Sequence, residues 1–320
     1  MTSKTMKAVH VPAVGQALEL ISVPVPEPDD EQVRIKVEAC GVCHGEAKIV
    51  DGWASSYPRI PGHEVVGVID SVGAGVDGWQ PGQRVGVGWH AGHGETTGMT
   101  IDGGYAEYMT AYQDSVVAIP DGISPEEAAP ILCAGETVFS ALKNSKARIG
   151  DLVAVSGIGG LGHLAVQYAA KAGYEVVAIS RGTDKADLAR DLGAHHYIDA
   201  AADDVAERLT ELGGATVIIA TAPHADVINP LLGGLATGGE LVLAAVSDDP
   251  IGWSALDFLG GQATVKGTFT EADSMADAIK FSILTGARPV IEVFPLEKAP
   301  EAYDKMMAAT VHFRAVLKVS

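Results

Sequence analysis

The stretch Ser156–Ala169, SGIGGLGHLAVQYA, restricts this chain more than any other. It follows a short apolar run, DLVAVSG, and leads into the helix-like segment LAVQYAAKAG. Gly157, Gly159 and Gly162 form G-x-G-x-x-G between strand and helix. There, glycines allow a tight turn and let the backbone approach a pyrophosphate at a helix N-terminus. The pattern downstream alternates: YEVVAIS as strand, KADLARDLGA as helix, ATVIIAT as strand, a helix near ADVINPLLGGLATG, then GELVLAAV as strand. Such alternation predicts an α/β architecture with a doubly wound parallel sheet, a Rossmann dinucleotide-binding domain over 137–267. Its cofactor contacts are expected at Gly157, Ile158, Gly159, Gly160, Leu161 and Gly162.

Around that domain the composition changes. The first 130 or so residues carry short β-like runs (MKAVHV, QVRIKVEAC, VVGVIDSVG, QRVGVGW, YAEYMTA) separated by turn signals such as PEPDD and GAGVDGWQPG. After about 267 a helix (EADSMADAIKFSILTG), a strand (VIEVFPL), a helix (APEAYDKMMAA) and a strand (FRAVLKV) follow. The tail is expected to rejoin the first segment, giving a β-rich domain over 1–136 and 268–320. The formal net charge of −19 argues against nucleic acid or an anionic membrane as partner. The N-terminus, MTSKTMKAVHVPAVG, reads as a first strand, and no apolar run is long enough to span a bilayer. Three cysteines in 320 residues make no disulfide framework, which points to a reducing cytoplasm.

Those cysteines carry chemistry. Cys43, His63 and Cys133 sit in ACGVCHGE, PGHEVVG and APILCAGETV. Two thiolates and an imidazole make a three-ligand zinc set with one position left for water or substrate. Cys40 and Cys43 also form C-x-x-C, but no second such pair exists, and Cys40 reads as a small buried residue. The second strand of the nucleotide domain ends at Ser180-Arg181-Gly182, without an acid until Asp184. An NAD site usually places Asp or Glu there for the ribose 2′-OH. Ser180 and Arg181, with Lys185 nearby, suit a 2′-phosphate instead, favouring NADP(H). Arg181 stacking on adenine would serve NAD(H) as well.

With these motifs in hand, the chain resembles the zinc-dependent alcohol dehydrogenases of the medium-chain dehydrogenase/reductase superfamily. The likeness runs from about Met6 to the end, on GVCHGE, PGHEVVG, GQRVGVGWH, DGGYAEY, PILCAGETVF and the glycine loop. It implies a GroES-like catalytic domain beside the Rossmann domain, and hydride transfer between nicotinamide and a primary alcohol or aldehyde. It implies catalytic zinc on Cys43, His63 and Cys133, with Glu64 as an acid able to approach the metal. It places Trp53 and Trp89 in the alcohol pocket and His44 against the cofactor pyrophosphate. It further implies a homodimer or homotetramer paired through the strand GGELVLAAV.

Two departures stand out. Relatives carry a four-cysteine structural-zinc lobe after the GWH segment; here the text is GWHAGHGETTGMTIDGGY, so one zinc per subunit is expected. His90, His93 and Glu95 remain there and read as a solvated loop. Relatives also have a hydroxyl residue followed by Asp just after Cys-His, beginning a proton relay. Here Gly45 and Glu46 stand at those positions. A water in the space left at Gly45 could connect the substrate to Glu46 or His44, and Glu46 with that water is the expected replacement acid, ahead of Glu136. An activated C=C or C=N substrate, which needs no such relay, is the alternative, and a catalytically silent nucleotide-binding protein is the reading outside enzymes.

Overall fold

The computed structural model describes residues 4–268, 270, 271 and 273–320. Met1–Ser3 in the expected first strand, Phe269 in the expected return to the β-rich domain and Ala272 in the expected helix over 271–286 lie outside the described residues. Two compact units emerge: Met1–Cys133 with Met275–Ile279 and Pro289–Ser320, and Ala134–Ser274 with Lys280–Arg288. The first begins with β1 (Thr5–His10), β2 (Glu19–Pro24), β3 (Gln32–Val42), β4 (Val65–Val72), β5 (Arg84–Val87), β6 (His90–Gly92), β7 (Glu95–Thr96), β8 (Tyr108–Tyr112) and β9 (Val116–Ala118). The second holds β10 (Leu152–Ser156), β11 (Glu175–Ser180), β12 (His196–Asp199), β13 (Ala215–Ala220), β14 (Leu235–Leu243) and β15 (Thr264–Gly267). The chain then returns to the first unit with β16 (Ile291–Pro295) and β17 (Arg314–Lys318).

The first unit is organised by β3. Its first half alternates, with Val33, Ile35 and Val37 buried around the more open Arg34 and Lys36, as expected for a strand with one face on the core. From Ala39 to Val42 burial is continuous, because both faces are covered. The sheet order is β16-β17-β3-β4-β5-β9, with β8 also pairing β3. Two registers matter for function. Cys40 pairs with Val65 across the β3–β4 ladder, so Cys43 is carried beside His63 and Glu64. Val42 pairs with Ala315 of β17, so Arg314 arrives at the same end.

The second unit is a six-stranded, wholly parallel sheet in the order β12-β11-β10-β13-β14-β15. All five residues of β10 are buried, as its LVAVS text requires for a central strand. Strand order reverses between β10 and β13, and at that switch point the crevice beyond the strand ends is available to a ligand. The glycine loop leaves β10 there. The expected helix near ADVINPLLGGLATG shortens to one α turn, Ala225–Ile228, and a 3-10 segment, Asn229–Gly234, because Pro230 and the glycine pair resist a regular helix.

The expected pairing edge is corrected. GGELVL lies in β14, between β13 and β15; the edge strands of this sheet are β12 and β15, the latter a four-residue TVKG strand. Among the described residues no helix is long and apolar enough to cross a membrane.

Candidate functional site

Cys43 follows β3 directly, His63 and Glu64 precede β4, and Cys133 follows the 3-10 segment Ala129–Leu132. One ligand atom from each of Cys43, His63, Glu64 and Cys133 lies within 4.8 Å of the others. The two sulfurs are 3.9 Å apart. Thiolates sharing one tetrahedral zinc, at bond lengths of about 2.3 Å, stand about 3.8 Å apart, so the pair already has the spacing of a metal-bound pair. His63 is fully buried, and its Nε2, like Glu64 Oε2, has no hydrogen-bond partner among the described residues. Buried polar atoms without partners are rare in proteins. Here they converge with two thiols, the donor chemistry of a zinc ion.

Glu46, 1% exposed, lies beneath this cluster on the short helix Gly45–Lys48. Its Oε2 accepts from the Cys43 backbone N–H at 2.9 Å. Its Oε1 is 2.8 Å from His63 Nδ1, an ion-pair contact without the alignment of a hydrogen bond. Both oxygens are therefore committed, and the expected part of Glu46 as a solvent-linked relay acid finds no support in this geometry. What it does is hold the Nδ1 side of the ring, which leaves Nε2 for a metal.

Arg314, 4% exposed, forms an ion pair with Glu64 through Nη2 and Oε1. Sequence reasoning missed this residue. The only signal was an arginine at the start of the run RAVLK, whose middle three residues are apolar.

The charges of the cluster are strongly coupled. A hydrogen bond from Cys133 holds the Cys43 thiol well below its ordinary range, while the same bond pushes Cys133 well above its own. Burial alone would push His63 down, but the Glu46 carboxylate and Cys43 raise it well above the usual imidazole value. Burial lifts Glu64 to about 7, against the opposing pull of Arg314. A bound cation competes with every one of these protons, so its affinity rises with pH.

Trp89 stands edge-on to His63, ring centroids 4.8 Å apart at 84°. A Cβ added at Gly45 would lie 3.1 Å from His63 Cε1, 3.4 Å from Trp89 Cζ3 and 3.7 Å from Cys43 Sγ. Position 45 and Trp89 therefore both face the cluster. Trp53 is placed differently: it is 55% exposed, with the Lys48 ammonium 4.9 Å above its ring. His44 is exposed and makes no side-chain cap to the helix it precedes. His90, His93 and Glu95 form no ligating group among the described residues; His93 stacks on Tyr112 at 4.3 Å. Cys40 is buried and free, and a Cβ at Gly62 or Gly104 would strike its sulfur. Glu136, in the first turn of the helix Ala134–Lys143, is raised to about 7 by burial alone.

In the nucleotide loop the three motif glycines have separate reasons. Gly157 turns at φ +95°, and a Cβ there would meet Thr221 Oγ1 at 2.9 Å. A Cβ at Gly162 would collide with the Gly157 carbonyl, so this glycine lets the helix Gly162–Lys171 seat closely. At Gly159 a Cβ would meet nothing within 4 Å. That glycine opens space on the ligand side. Ser180 ends β11; Arg181 is exposed and reaches Asp226 at 3.3 Å, a pair that solvent screens heavily. Lys185 Nζ donates to the Ile158 carbonyl at 2.8 Å.

Known proteins agree with this arrangement. Residues 29–121 match the alcohol dehydrogenase GroES-like domain, and residues 160–283 match the zinc-binding dehydrogenase family. An alcohol dehydrogenase of Penicillium expansum, patD, is 40% identical over 337 residues, covering 99% of this chain and 98% of that one. An alcohol dehydrogenase of Geobacillus stearothermophilus is 37% identical over 336 residues, covering 98% of this chain and 100% of its own. A solved cinnamyl alcohol dehydrogenase from Sorghum bicolor superposes with a TM-score of 0.87 at 29% identity, over 98% of both chains. The chain belongs to the zinc-dependent alcohol dehydrogenases of the medium-chain dehydrogenase/reductase superfamily, with a GroES-like domain and a Rossmann domain. It is an NAD(P)-dependent oxidoreductase of alcohols and aldehydes, and with three cysteines it lacks the four-cysteine structural-zinc cluster.

Proposed function

We propose that this enzyme uses one zinc ion per subunit and NADP(H) to interconvert primary alcohols and aldehydes. The observation that carries the reading is the convergence of Cys43, His63, Glu64 and Cys133 within 4.8 Å. Cys43, His63 and Cys133 would hold the ion, with Glu64 paired to Arg314 through Oε1 and its Oε2 left beside the cluster. When bound, zinc supplies a Lewis acid for the substrate oxygen and the nicotinamide supplies or receives the hydride. The chain's own residues do the rest. Glu46 fixes the His63 ring, and Trp89 gives the substrate an apolar wall beside it. Ser180, Arg181 and Lys185 favour the 2′-phosphate of NADP(H). NAD(H) remains the other candidate if Arg181 serves adenine. His44 is assigned to the pyrophosphate, and Trp53 to the outer part of the alcohol pocket.

A second reading, reduction of an activated C=C or C=N bond, is favoured by one observation: position 45 faces the cluster and offers no hydroxyl. Zinc analysis of purified protein, together with NADPH oxidation assayed against aldehydes, enals and imines, tests both. Zinc near one per subunit with aldehyde turnover supports the first. Turnover confined to enals or imines favours the second, and tight NADPH binding without turnover would leave a silent binding protein.

For assembly, a second copy of the chain is the fitting partner for β15. Beside this edge strand the helix Ala255–Leu259 exposes Leu256 (76%) and Leu259 (74%). An open strand edge with apolar neighbours is a natural pairing surface. A reducing compartment such as the cytoplasm suits thiols 3.9 Å apart that must stay available to a metal.

A further inference from the structure

The carbonyls along the glycine loop are held one after another by side chains from three different elements. Thr221, just after β13, places Oγ1 2.9 Å from the Ser156 carbonyl and 2.7 Å from that of Gly157. Lys185 Nζ donates to Ile158 O at 2.8 Å. His163 Nδ1 lies 3.0 Å from Gly159 O. In a trans peptide the C=O of one residue and the N–H of the next point in opposite directions. Holding the carbonyls of Gly157, Ile158 and Gly159 therefore turns the N–H groups of Ile158, Gly159 and Gly160 to the other side. None of those three N–H groups donates to a backbone carbonyl among the described residues, whereas the N–H of Gly157 is used by Ile179 O. Three consecutive N–H groups without a backbone acceptor among the described residues, at a switch point, suit a phosphate. Of the three side chains holding the loop, only that of Lys185 is also a proposed contact for the 2′-phosphate.

We propose that Lys185 is a positioning residue for the pyrophosphate loop, so that it supports binding of both dinucleotides and not of the 2′-phosphorylated one alone. This rests on the dinucleotide reading of the loop. A lysine that only read the 2′-phosphate would be indifferent to NADH. One that fixes the Ile158–Gly159 peptide plane affects every ligand whose phosphate meets the Gly159 N–H.

The test is a set of NADH and NADPH titrations on the purified protein. Lys185 is exposed, so its removal does not threaten folding. Lys185→Met is expected to weaken NADH roughly 3- to 10-fold, the range for losing one hydrogen bond, and NADPH by more. Lys185→Arg should recover most of the NADH affinity. Arg181→Ala, which touches no loop carbonyl, should weaken NADPH alone. Thr221→Val should weaken both cofactors alike, and Thr221→Ser should not. If Lys185→Met leaves NADH affinity unchanged while NADPH affinity falls, the positioning role is overturned and Lys185 is a 2′-phosphate contact only. If the unaltered enzyme binds neither dinucleotide, the failure lies in the cofactor reading instead.

Discussion

Replacing Glu46 by Gln separates a ligand-orienting carboxylate from a proton-transfer acid. The carboxylate can only accept, so Nδ1 of a neutral His63 keeps its proton and Nε2 presents a lone pair to the metal. In the Gln variant one terminal atom must still accept from the Cys43 N–H. The other is then an amide NH2 facing Nδ1, which favours the tautomer with its proton on Nε2, the wrong one for coordination. At 2.8 Å and an effective dielectric of about 20, a full charge pair would amount to about 6 kcal/mol. The imidazole is neutral when it ligates a cation, so only part of that applies. The usual 10- to 100-fold loss for an outer-shell partner, about 1.4–2.7 kcal/mol, is the expected magnitude. Competition with a zinc chelator on purified protein measures it directly. Unchanged zinc affinity combined with a large fall in turnover would refute the orienting role and restore Glu46 as the relay acid.

Other substitutions test neighbouring parts of the argument. Gly45→Ser places a hydroxyl beside His63 and Cys43, with the Cβ at 3.1 Å from His63 Cε1 forcing a small adjustment. Turnover with alcohols should rise by about tenfold or more, and unchanged turnover would mean the missing hydroxyl does not limit this enzyme. Gly159→Ala meets no protein atom, so the Tm should stay constant while cofactor affinity falls by roughly tenfold or more; equal affinity would show that no ligand approaches there. Glu136 is held near 7, above the ordinary 4.5, so its contribution is intact below about 4.5 and stability is lost as pH rises through 7. Glu136→Gln should therefore raise the Tm at pH 8, by the equivalent of about 1–2 kcal/mol after allowing for partial solvation, with the gain vanishing toward pH 4.5. Paired Leu256→Glu and Leu259→Glu changes should shift the protein toward monomer in size-exclusion chromatography, and an unmoved elution volume would place the subunit interface elsewhere.

What the sequence disclosed depended on how local each signal was. The glycine loop was legible because its three glycines lie within six residues and each answers a short-range demand. Cys43, His63 and Cys133 were legible because cysteine is scarce in this chain. Glu46 was read as an open relay acid because, along the chain, it only follows Gly45; its burial comes from the β3–β4 ladder, which lays His63 over it. Arg314 was missed for the same reason at greater range, since its partner Glu64 is 250 residues away. The strand β15 escaped notice because four residues containing a lysine and a glycine carry no periodicity, and so β14 was taken for the edge.

The place of β17 in its sheet has a consequence for how the enzyme is made. This strand follows every member of the metal cluster in the sequence, yet it lies between β16 and β3 and brings the cation that pairs with Glu64. All four members of the metal cluster are synthesised by residue 133. Until Arg314 has been made, the nascent chain carries both thiols and the imidazole beside a carboxylate without that partner, on a sheet with an open seam. The cluster is thus ordered late, and a polypeptide that stops short of Arg314 holds all four residues without the cation that pairs with Glu64.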